Sequence, residues 1–112
     1  MTTGAPAWNT MRTDETDLVE CVLKQGDFNQ VDAYRYNSAC IRVRVIDPRF
    51  EGLKREKRDA MVEEYLDKLP AATQRDIVTL FTFAPSEIEG TAESFRELLL
   101  NTEFEDPSRP TF

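Results

Sequence analysis

Apolar and polar positions alternate along this chain with two distinct periods, and the switches between them mark the elements. Leu18, Val19, Val22 and Leu23 recur at helical spacing behind Asp14, Glu15 and Asp17, acids suited to a helix start. A first helix is therefore predicted over Glu15 to Gln25 with Asp14 as its cap, stopping at Gly26. The period then becomes two. Gln30 to Tyr36 carries Val31, Ala33, Tyr34 and Tyr36. Cys40 to Ile46 sets Ile41, Val43 and Val45 against Arg42 and Arg44, as in a strand with one buried and one wet face. The short Asn37-Ser38 turn predicts an antiparallel hairpin. Asp47-Pro48 closes the second strand, and Gly52 permits a turn that other residues resist.

Helical spacing returns from Lys54, with Arg58, Met61, Val62, Tyr65, Leu66 and Leu69 on one side and Pro70 ending the run. Pro70 to Arg75 suits one further short turn. Ile77 to Phe83 is almost wholly apolar or β-branched and reads as a strand buried on both faces. Pro85 and Ser86 start a turn through Ile88, and Thr91 caps a last helix with Phe95, Leu98 and Leu99 on one side. The resulting order is α-β-β-α-(short α)-β-α. The fold class is α+β: a two-layer sandwich with a three-stranded mixed sheet and helices packed on one face. Residues 1–13 are expected to form a flexible arm, residues 14–101 the single domain, and residues 102–112 a flexible tail with two prolines. The expected core is Ile41, Val43, Val45, Met61, Val62, Leu66, Leu69, Val78, Leu80 and Phe81.

Composition removes several classes of function. The chain of 112 residues contains no histidine, so the commonest metal ligand and near-neutral base are missing. Two cysteines, Cys21 and Cys40, make no zinc pattern and are expected to stay reduced and unpaired. No apolar run is long enough to span a membrane, and the first residues lack a secretory pattern, so a cytoplasmic location is expected. The net charge of −7 repels nucleic acid at long range, yet it is uneven. Residues 42–58 hold seven basic and three acidic residues, +4 locally against −11 elsewhere. On the long helix Glu63 shares a face with Asp67, and Glu56 with Asp59, an arrangement typical of a solvated surface. Tyr34, Arg35 and Tyr36 are the candidates for base stacking.

The strand Ile41-Arg42-Val43-Arg44-Val45-Ile46, then Asp47, Phe50-Glu51-Gly52, Arg58 and Val62, and finally Ala84-Pro85-Ser86-Glu87-Ile88, follow one another in a telling order. In order and spacing this set resembles the BolA-like family, whose fold is similar to the type II KH domain. The resemblance covers Leu18 to Ile88. It implies a non-enzymatic adaptor whose protein partner is a monothiol glutaredoxin. The binding residues carried over are Cys40, Arg42, Phe50, Glu51, Gly52, Arg58 and Asp59. Family members that share a [2Fe–2S] cluster use a histidine directly after the arginine, where this chain has Asp59, and a second His or Cys from the hairpin loop, near which Cys40 lies. Aspartate is a harder ligand than the thiolate or imidazole of iron–sulfur sites, so no cofactor is expected. The alternative reading is a KH-like nucleic-acid-binding module using the basic segment 42–58, although the chain lacks a Gly-x-x-Gly clamp.

Overall fold

The computed structural model describes residues 11–89 and 95–107. Its elements are α1 (Asp14–Lys24), β1 (Gln30–Asn37), β2 (Cys40–Ile46), α2 (Arg55–Leu66), α3 (Ala71–Asp76), β3 (Ile77–Phe83) and α4 (Phe95–Glu105). Short 3₁₀ turns at Pro48–Phe50 and Pro85–Ile88 follow β2 and β3. The sheet order is β1-β2-β3. β1 and β2 form the expected antiparallel hairpin, with Val31 opposite Val45 and Ala33 opposite Val43. β3 lies parallel to β2, with Val43 opposite Leu80 and Ile46 opposite Phe83. The α+β class and the mixed three-stranded sheet are those the sequence predicts.

Local chemistry fixes the ends of these elements. Thr13, rather than Asp14, caps α1: its Oγ1 accepts from the Thr16 backbone N–H, and Thr16 Oγ1 accepts from the Thr13 N–H. Beyond α1 the left-handed residue is Asp27, at φ 56°, and Gly26 serves a different end. A Cβ on Gly26 would stand 2.6 Å from the Phe28 ring and 2.8 Å from Tyr65, so glycine lets two aromatic rings close over the backbone. At Gly52 the reason is conformational: φ is +74° with open space around it. α2 ends at Leu66, earlier than its apolar spacing suggests, and Leu69 reaches the core from the following turn.

Period-two alternation builds a separate apolar cluster on each face of the sheet. Val31, Ala33, Ile41, Val43 and Val45 pack against Val19, Val22 and Leu23 of α1 and Val62 and Leu66 of α2, with Met61 and Leu80 partly buried beside them. On the reverse face, Tyr34, Ile46, Phe81 and Phe83 surround Phe104 of α4. The one-face arrangement thus holds for α1 and α2 but not for α4, which covers the face expected to be wet. Arg44, predicted to point into water, is 2% exposed beneath it. Residues 102–105, expected in the tail, belong instead to the last helix. α4 runs to Glu105, and Phe104 is fully buried. On this helix Leu100 and Phe104 face inward, whereas Phe95 and Leu99 are exposed. Val78 departs from the expected core too: it is 64% exposed at the start of β3, where the strand lines an open cleft. Thr91, and the arm apart from Met11 to Thr13, lie outside the described residues.

Candidate functional site

Four of the seven basic residues in the segment are held by internal partners, while Lys54, Arg55 and Lys57 stand exposed. Arg42 lies 3.7 Å over the Tyr36 ring and donates through Nη1 to Tyr34 Oη and Glu103 Oε2. Arg44 pairs with Asp32 at 2.6 Å and Glu105 at 3.1 Å. Arg49 grips Asp47, whose carboxylate also accepts from the backbone N–H groups of Asn29 and Arg49. Burial alone would raise the Asp47 carboxyl, but these hydrogen bonds outweigh it and hold the group below its ordinary pKa. Arg58 is buried and makes four bonds: Nε to Leu53 O, Nη1 to Thr82 O, and both terminal nitrogens to Glu87 at 2.7 Å. The Glu87 carboxylate then accepts from the Ala84 N–H at 2.9 Å. Burial works against its ionised form, yet the bonds from Arg58 and the Ala84 N–H together outweigh it and keep its pKa low.

The other carried-over residues fall into two groups. Phe50 is fully buried, between Phe28 and the Arg58 guanidinium. Glu51 and Gly52 stand at the surface, where Ser86 Oγ donates to Glu51 Oε1 at 2.6 Å. Asp59 is half-buried and accepts from Thr82 Oγ1 at 3.1 Å. Cys21 and Cys40 are both free thiols. Burial raises the Cys40 pKa, against the pull of Arg42 and Arg35, and so disfavours its thiolate.

The fold does not bring Cys40 to Asp59. Thr82, which holds Asp59, lies opposite Val45 in the parallel register, and Cys40 is five residues away along β2. At about 3.3 Å per residue the two ends are roughly 17 Å apart. A half-buried thiol at one end of the sheet and a hydrogen-bonded carboxylate toward the other are too far apart to fit a shared iron–sulfur cluster. Among the described residues no three His, Cys, Asp or Glu side chains gather to hold a metal ion. Tyr34, Arg35 and Tyr36 form no common patch either. Tyr34 is buried against Phe104, while Arg35 pairs with Glu15 and Asp76 across the sheet.

What the fold does assemble is a cleft of about 570 Å³ between α2, α3 and the outer side of β3. Asp59, Glu63 and Asp67, at successive intervals of four, line one wall; Ile77, Val78, Thr79 and Leu80 line the other, with Leu66 and Gln74 between. Like charges four apart weaken a helix, and no described cation pairs with these three acids. Sequence spacing identified the Glu63–Asp67 face, but α2 leaves it open toward β3 rather than simply toward bulk water. Glu20 carried no sequence signal as a functional group. It is 5% exposed, accepts from the Ala33 N–H at 2.9 Å and pairs with Arg12. Burial raises its pKa, against the Ala33 bond and Arg12.

Among the described residues no helix is long and apolar enough to cross a membrane. A scan against protein-family models finds no match, and a search of curated proteins finds no relative.

Proposed function

We propose that this chain is a non-enzymatic, BolA-like adaptor that binds a protein partner in the cytoplasm and ligates no iron–sulfur cluster. The partner suggested by the resemblance is a monothiol glutaredoxin. The observation that carries the reading is the cleft beside β3: it joins a sheet edge to a wall of three carboxylates without a described cation. Such a surface attracts a basic protein segment and repels phosphate. The nucleic-acid alternative has less support, since Arg42, Arg44, Arg49 and Arg58 are committed to internal acids.

The test is an anaerobic titration with monothiol glutaredoxin, iron and sulfide, followed by size exclusion and visible absorbance. A complex should form, with no charge-transfer bands that depend on this protein. Absence of any complex, or bands that vanish in Asp59→Ala, would overturn the proposal.

A further inference from the structure

The two edges of the sheet are treated differently. β1 is blunted at mid-strand: the buried Glu20 carboxylate takes the Ala33 N–H, and Arg12 closes over that carboxylate. The C-terminal end of β3 is sealed as well, by Arg58 on Thr82 O and Glu87 on the Ala84 N–H. Between Val78 and Leu80 nothing comparable is found among the described residues. No described residue hydrogen-bonds this backbone from the side away from β2, and that side opens into the cleft. An open edge is a template for another strand, and proteins ordinarily blunt such edges.

We propose that the Val78–Leu80 edge accepts an extended, basic peptide segment as a fourth strand. The inference rests on the protein-partner reading above and gives that partner its chemistry. The incoming backbone pairs with β3. Lys or Arg side chains on one side of the segment meet Asp59, Glu63 and Asp67, and a small apolar side chain between them rests on Leu66 and Leu80. The same three acids decide against a second copy of this chain. Two β3 edges brought together would also bring together two acidic walls, and like charges at close range oppose that pairing.

The probe is a fluorescein-labelled peptide of alternating lysine and valine, titrated into the full chain and read by anisotropy and by amide chemical shifts of the protein. Three comparators are needed: a glutamate–valine peptide, a lysine–valine peptide N-methylated at alternate residues, and the exposed-site variant Glu63→Lys. Saturable binding is expected, with the largest shifts at Val78, Thr79 and Leu80. It should weaken at least tenfold with N-methylation, which leaves charge intact but removes strand donors, and at least tenfold in Glu63→Lys. Equal binding of the N-methylated peptide would reduce the contact to charge alone and overturn the proposal. So would equal binding of the glutamate peptide, an absence of binding, or shifts elsewhere. Failure here with an intact glutaredoxin complex removes only the strand inference. Peptide binding without that complex removes the named partner and leaves the edge.

Discussion

Phe104→Ala separates a docked fourth helix from a loose tail. Phe104 is fully buried, 4.8 Å from the Tyr34 ring centroid and 5.6 Å from that of Phe81, both edge-on, with Arg44 4.4 Å over its face. Returning a buried phenyl group to water costs about 2–3 kcal/mol. The vacated space, roughly 100 Å³ at about 24 cal/mol per Å³, adds up to about 2 kcal/mol before the walls relax. Loss of edge-on ring contacts works in the same direction. The expected destabilisation is about 3–5 kcal/mol. For a domain of this size that lowers Tm by at least about 12 °C. Urea unfolding followed by circular dichroism measures it, with Leu99→Ala, at a 53% exposed site on the same helix, as the control expected to stay within about 0.5 kcal/mol. A loss below about 0.5 kcal/mol in Phe104→Ala as well would refute the packing of α4 on the sheet.

Arg58→Met should cost about 3–5 kcal/mol in the same assay, because it strands the Glu87 carboxylate and leaves Thr82 O without its donor. Loss of partner binding without loss of stability would instead make Arg58 a contact residue. Asp47 and Glu87 both ionise more readily folded than unfolded. Their stabilisation is therefore complete above the unfolded-chain values of about 4 and is lost as pH falls through the folded ones. Asp47→Asn should flatten the acid limb of stability against pH, and an unchanged limb would contradict that assignment.

The strands were legible because alternation and β-branching act locally. β2 occupies Cys40–Ile46 and β3 Ile77–Phe83, where the pattern puts them. The reverse face was not legible, since Arg42 and Arg44 look solvated until α4 supplies Glu103, Glu105 and Phe104 to receive them. Those partners lie about sixty residues away, beyond any local pattern. The acids and prolines around Phe104 made its segment resemble a tail. At the site, the spacing of Glu63 and Asp67 was visible, but the cleft depends on the open outer side of β3, which only the strand order reveals. Val78 looks like a core residue for the same reason: an apolar run does not say which strand is the edge.

The central claim, that a protein partner is bound on the α2–β3 side, is tested most directly by mapping amide chemical shifts of the labelled chain in complex with monothiol glutaredoxin. The shifted amides should gather at Ile77 to Thr82 and along α2 from Asp59 to Asp67. Shifts centred on the hairpin turn from Asn37 to Cys40, on Lys54 to Lys57, or on no residue at all, would contradict it.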